Sequence, residues 1–282
     1  MARPIVGTVL CGVLLLALST QVAFAGDEEE IQENRYLGDR FAIRLIGGIV
    51  DLDTEVAAGR GLGALIDLED LLGFDESMST FGLDGFYRFT KNRKHAIHFR
   101  YGNFDRDAYA AVEGTIPIFD VDFFGELASE FINQVGIVEY QYSFTNSRKT
   151  EAGITAGFAV YKYDLGIEGR VMLDNDPDSA EFRSESVGVV APVPAVGFFI
   201  HQAFMKNLVL EIRTSFIDLE VGAHNGRIFN TVGNLTWFFS RHFGVGLGLS
   251  GSDITYKKDS GGDKLKVDVR QSSVNANLTF VF

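Results

Sequence analysis

Asp174, Asp176, Asp178 and Glu185 occupy positions 1, 3, 5 and 12 of a calcium-loop pattern. Such a loop converges oxygen ligands on one hard cation and needs glycine at position 6 for its sharp turn. Ser179 stands there instead, and no helical periodicity flanks the run. The spacing is a weak calcium candidate in an acid-rich stretch, and no metal centre is expected. The five histidines offer a second chemistry, because a His beside an acid or a Ser can serve as general base or activate a nucleophile. His95 and His242 adjoin short polar turns, His98 and His201 fall on alternating segments and are expected to face the lumen of any barrel these form, and His224 has no Ser or acid motif around it. No catalytic residue is assigned and no enzyme is expected. The glycine-rich run 59–63 lacks the strand-to-helix setting of a nucleotide site, so no cofactor is expected.

The remaining charged residues are more informative, because many sit inside period-2 alternation. In 79–90, Phe81, Leu83, Gly85, Tyr87 and Phe89 share one face and Asp84 and Arg88 the other. Ile97, Phe99 and Tyr101 oppose His98 and Arg100; Val138, Tyr140, Tyr142 and Phe144 oppose Glu139 and Gln141. Leu210, Ile212 and Phe216 oppose Glu211 and Arg213, and Phe41, Ile43 and Leu45 oppose Arg44. Strands with one apolar and one charged face suit a barrel in a bilayer. A lone Arg or Lys facing lipid at midplane would cost roughly 2–4 kcal/mol, so the charged faces must turn inward. The lumen then holds at least Arg44, Asp84, Arg88, His98, Arg100, Glu139, Glu211 and Arg213. Charges of both signs in a narrow lumen pair with one another, which predicts a polar plug. The alternative is a narrow pore.

Ten alternating segments are read, near 40–52, 79–90, 95–107, 131–144, 150–164, 193–205, 207–219, 227–240, 243–256 and 268–282. The fold class is all-β: a transmembrane antiparallel up-and-down barrel of 10 strands. Eight is the alternative if 193–219 lies outside the wall, and twelve if 108–130 holds a further hairpin. Four connections are short and basic, containing Lys91, Arg93, Lys94, Arg148, Lys149, Lys206 and Arg241. The others, 53–78, 108–130, 165–192, 220–226 and 257–267, are mostly longer and are expected to be outer loops. Within them, 64–73 has the pattern of a short amphipathic helical turn over the barrel mouth. The apolar run 115–124 is expected to fold back on the rim.

Residues 1–25 have a basic start, an apolar run and a small-x-small site at Ala23–Ala25, the pattern of a secretory signal peptide. The lone cysteine, Cys11, lies inside it. Residues 26–39 read as a flexible periplasmic lead-in and 40–282 as the barrel. The net charge of −13 disfavours nucleic acid as a partner.

The last residues alternate Val274, Ala276, Leu278, Phe280 and Phe282 with Asn275, Asn277 and Thr279. This tail resembles the C-terminal strand of bacterial outer-membrane barrels. With the signal peptide, alternation and unequal connections, 40–282 resembles small monomeric outer-membrane β-barrels of the OmpA-like and OmpW-like kind, found in Gram-negative bacteria. The resemblance implies an outer-membrane location with both termini in the periplasm. It also implies an assembly signal at Leu278, Phe280 and Phe282 read by the barrel-assembly machinery, contact with membrane lipid and lipopolysaccharide, and a monomer. It is weak for function. A structural or surface-interaction role leads, a narrow channel for small or hydrophobic solutes is second, and a rim-located enzyme is third.

Overall fold

The computed structural model describes residues 34–60, 66–67, 69, 72–118, 121–173, 176–221, 224–260 and 263–282. Ten long strands follow in chain order: β1 (Phe41–Arg60), β2 (Ser77–Arg88), β3 (His95–Ile118), β4 (Val121–Asn146) and β5 (Thr150–Leu173) come first. Then come β6 (Asp176–Met205), β7 (Leu208–Val221), β8 (His224–Phe238), β9 (Phe243–Ser260) and β10 (Asp263–Val281). Each pairs antiparallel with the next, and β10 pairs back onto β1 from Ala42↔Val281 to Arg60↔Asp263. The sheet is therefore a closed barrel, and its ten strands set the counts of eight and twelve aside. The stretch 193–219 belongs to the wall as β6 and β7, and 108–130 forms the tops of β3 and β4. A two-residue strand, Ile66–Asp67, pairs beside β1.

The outward side chains show where the bilayer lies. On β1 they run Leu45, Gly47 and Ile49, then change to Asp51, Asp53 and Glu55. On β3 the change falls between Tyr101 and Asn103, on β5 between Val160 and Lys162, and on β10 between Val274 and Ser272. The apolar rows all adjoin the end with the short turns, 89–94, 147–149, 206–207 and 239–242. About 9–11 residues of a tilted strand cross a bilayer core. β4 has 26 residues and β6 has 30, so more than half of each stands clear of the band.

This overturns the expected long outer loops. Most of 53–60, 108–130 and 165–192 is strand, and among the barrel connections only 61–76, between β1 and β2, exceeds a few residues at the long end. The physical reason is an inversion of the pattern. Within the band the wall is apolar outside and polar inside. Above it the wall is polar outside, while Val50, Leu52, Phe104, Phe131, Tyr163, Leu165 and Ile167 pack inside as one core. The upper wall is built like a water-soluble barrel on top of a membrane one.

Two segments outside the wall fill the interior. Residues 26–33, like the expected signal peptide, lie outside the described residues. The last six residues of the expected flexible lead-in are folded: Arg35–Gly38 form one helical turn, α1, capped by Asn34 and with Tyr36 and Leu37 buried. Asn34 Nδ2 also donates to the carbonyls of Met205 and Lys206, at 3.0 Å each, which ties α1 to the β6–β7 turn. From the other end, Leu72 and Phe74 enter the apolar core. Gly73 between them has φ 71°, a left-handed backbone that glycine adopts without cost and that turns the segment inward. Of the expected helical turn at 64–73, only residues 66, 67, 69, 72 and 73 are described. The side chains of 115–124 lie outside the described residues, while the backbone there is a paired hairpin, Thr115↔Phe124.

Phe282 closes the short-turn end. Its N–H donates to the Phe41 carbonyl at 2.9 Å, and its own carbonyl accepts from Arg40 and Phe41 at 2.9 and 2.8 Å. Its ring stacks on His242 with centroids 5.1 Å apart, and Phe280 meets Phe243 edge-on at 5.0 Å. Leu278 pairs with Leu45 across the seam. Deleting Phe282 removes three hydrogen bonds, each contributing about 1 kcal/mol net. Less of the truncated protein should reach the folded state in membranes, seen as a smaller compact fraction on unheated gels. Parent-level folding would count against a role for this residue in closure.

Candidate functional site

The lumen is a stack of three layers. The charged one lies within the membrane band. All eight residues assigned inward from alternation point there, and the backbone register brings them together. Arg44 lies opposite Asp84 on β2, and Asp84 opposite Arg100 on β3. Arg44 Nη1 is 3.2 Å from Asp84 Oδ1, and Arg100 Nε is 3.0 Å from Asp84 Oδ2. His98 bridges two carboxylates, Nε2 to Asp84 at 2.9 Å and Nδ1 to Glu139 at 3.4 Å. Across the lumen, Arg44 Nη2 reaches Glu211 at 3.2 Å and Arg213 reaches Glu139 at 3.6 Å. Arg88 pairs with Glu151 and donates to the carbonyls of Tyr36 and Asp39, at 3.0 and 2.6 Å. The guanidinium of Arg88 also lies over the Phe86 ring, 4.0 Å from its centroid.

Two members of this layer, Glu151 and Tyr36, were not assigned to it from the sequence, and a third, His201, was read toward the lumen but not placed in the charged network. Glu151 is the fourth carboxylate and balances the four arginines. It shares its parity with Gly153, Thr155 and Gly157, opposite the lipid-facing Ile154 and Phe158, so alternation along β5 could have placed it. His201 is fully buried and bridges Glu151 at 3.1 Å and Glu211 at 3.6 Å. Tyr36 donates its hydroxyl to Glu211 and accepts from Arg44 at 3.3 Å. No pattern in the lead-in marks it.

The chemistry open to this layer is limited by its ion pairing, although His98 Nδ1, His201 Nε2 and Arg213 Nε have no hydrogen bond among the described residues. Each carboxylate is held by an arginine, and both histidines are flanked by carboxylates on two sides. Among the described residues one serine hydrogen-bonds to the layer, Ser143, which donates to Glu151 at 2.6 Å and not to a histidine. Four positive and four negative groups in this geometry form a brace between strands.

Above the brace lies an amide-rich layer. Asn133, Asn234 and Asn275 line a cavity of about 110 Å³ together with Tyr161, Tyr163 and Ser252. Gly248 faces Asn234 and Asn275 so closely that a Cβ there would meet their side-chain oxygens. The third layer is the apolar core, with Leu72 and Phe74 at its centre. Arg106, missed from the sequence, anchors it. Its guanidinium lies between the Phe74 and Phe131 rings, 5.0 and 5.1 Å from their centroids. It pairs with Glu69 and donates to Thr54 at 2.9 Å.

The calcium candidate does not survive as a loop. Asp174 lies outside the described residues, as do the side chains of Asp176, Asp178 and Glu185. The backbone from Asp176 onward is the extended strand β6, paired Leu173↔Asp176 and Ile167↔Glu185, and an extended strand cannot curl around one ion.

No family model matches the chain, and no curated protein matches it. Among solved structures, the outer membrane protease OmpT from Escherichia coli matches with a TM-score of 0.57 at 8% identity, covering 91% of this chain and 100% of OmpT. The fold is that of a ten-stranded bacterial outer-membrane β-barrel. OprG from Pseudomonas aeruginosa matches at 13% identity over 90% of this chain and 100% of its own, with a TM-score of 0.35. Ail, the attachment invasion locus protein of Yersinia pestis, matches at 11% identity over 86% and 99%, with a TM-score of 0.31, and in complex with the heparin analogue sucrose octasulfate at 10% identity over the same shares, with a TM-score of 0.34. At 8% identity the likeness to OmpT is one of fold, and its activity is not carried over.

Proposed function

We propose that the protein is a closed outer-membrane barrel that acts at the cell surface, as a structural element or through contacts made by its projecting wall. The short turns and α1 face the periplasm in this reading, and the long end faces outward. The observation that carries it is the double closure of the lumen: a charged brace in the membrane and a separate apolar plug above it. A conduit would need both to open. The outward acids above the band, Asp51, Asp53, Asp105, Asp107 and Asp164, suit contact with lipopolysaccharide through divalent cations, and the C-terminal strand suits the barrel-assembly machinery. The protein is read as a monomer, without catalytic activity; the protease fold it shares with OmpT brings none with it.

A narrow channel is the second reading, favoured by the polar cavity between the two plugs. Planar-bilayer recording separates them. The parent protein should be silent, and Arg88→Ala should stay silent because the apolar plug is untouched. Steady, discrete openings in the parent would overturn the closed-barrel reading and make solute selectivity the next measurement.

A further inference from the structure

The wall is paired all round within the membrane band but not above it. β6 pairs with β7 only from Val196↔Phe216 to the short turn. Residues 176–195 of β6 continue upward with β5 on one side and, among the described residues, nothing on the other. Two prolines explain where the pairing stops. Ala203 donates its N–H to Lys149 on the β5 side, and the β5–β6 register is regular from Gln202 to Glu181. Alternation therefore turns the nitrogens of even-numbered residues away from β5. Pro192 and Pro194 are even-numbered and have no N–H to give, so the ladder toward β7 ends beside them.

Above the prolines the same alternation presents the N–H and C=O of Phe182, Ser184, Ser186, Gly188 and Val190 at a free edge. Proteins guard such edges with charges, prolines or a covering segment. The outward side chains at these five positions are exposed and none is charged. The opposite edge of the same projecting sheet, on β3, is guarded. Asp75 accepts from Arg106 there, and Gly73 sits beside the Tyr109 carbonyl. Among the described residues, the chain itself lies beside the β3 edge and none of it pairs along the free β6 edge above the prolines.

We infer that the β6 edge from Phe182 to Val190 is a docking site for an extended segment of another protein, which adds a strand antiparallel to β6. Main-chain hydrogen bonds would supply the affinity, as in other strand additions. Exposed Phe182 and Val190 would favour apolar residues at the ends of the segment. The exposed Glu220 on β7, and the net charge of −13, favour a basic one. A second copy of this chain fits poorly. Two barrels in one bilayer share one orientation, so their β6 edges would meet parallel and not antiparallel. The inference rests on the reading of the long end as a contact surface.

The test uses full-length protein in nanodiscs and a fluorescein-labelled ten-residue peptide of alternating Val and Thr with a Lys at each end. Amide hydrogen exchange should be fast at Ser184, Ser186, Gly188 and Val190 and slow at Glu185, Val187 and Val189, and the peptide should slow the first set. Ser186→Pro removes one free donor without touching the β5 ladder, and should weaken peptide binding about tenfold. Ser186→Ala keeps the N–H and should bind like the parent. Slow exchange at the even positions without peptide, a dimer that shields them, no binding at millimolar peptide, or equal loss in both variants would each overturn the inference. The exchange pattern does not depend on conduction. Failure here in a protein that is silent in bilayers removes only the docking site, whereas openings in the parent remove the closed-barrel reading.

Discussion

Glu211→Ala should destabilise the barrel by about 3–5 kcal/mol, the usual cost of removing one partner from a buried ion pair. Glu211 is 1% exposed and sits where three elements meet. It accepts from both terminal nitrogens of Arg44, at 3.3 and 3.2 Å, and from the Tyr36 hydroxyl of α1, with His201 Nε2 at 3.6 Å. Alanine leaves the 2% exposed Arg44 with Asp84 as its one carboxylate partner among the described residues, and takes the acceptor from the Tyr36 hydroxyl. Glu211→Gln keeps an acceptor for one of these donors and should cost less, about 1–3 kcal/mol. The decisive variant carries Arg44→Met and Glu211→Leu together. If the pair is a brace whose desolvation cost nearly offsets its attraction, replacing both should cost less than replacing Glu211 alone. Urea unfolding followed by Trp237, the only tryptophan, measures all three. Additive losses in the double variant would show that the two residues act separately.

The charged brace was legible because the membrane makes one rule strict. A charge inside an alternating apolar segment has only the lumen to go to, and Arg44, Asp84, Arg88, His98, Arg100, Glu139, Glu211 and Arg213 obey it. The upper wall was not legible by the same rule, since its reference environment changes from lipid to water. Lys162 and Asp164 point outward on β5 as Phe158 and Val160 do, and Tyr161, Tyr163 and Leu165 point inward. A reader expecting apolar residues outside sees the pattern end at 164. The alternation in fact continues through Ile167 with its polarity exchanged. Tyr36, Leu72 and Phe74 were hidden for another reason. Tyr36 and Phe74 lie on segments without periodicity, and the helical pattern of 64–73 pointed Leu72 to the barrel mouth and not into it; only the shape of the interior fixes where such residues go.

Phe74→Ala should cost about 3–5 kcal/mol, the range for emptying a buried aromatic site. Phe74 is 3% exposed, packs in the apolar core and covers one face of the Arg106 guanidinium. Its loss opens a cavity at the centre of the plug and wets the Arg106–Glu69 pair. Among the described residues the plug and the charged brace share no hydrogen-bond or ion-pair partner, so the cost should add to that of Glu211→Ala within about 0.5 kcal/mol. Conduction should not add in this way. The two closures stand in series along one lumen, and removing either leaves the other across the path. Phe74→Ala and Arg88→Ala should each be silent in planar bilayers, and openings should appear in the double variant. Openings in Phe74→Ala alone would mean that the brace is permeable and that the apolar plug is the sole gate. Openings in Arg88→Ala alone would reverse those roles.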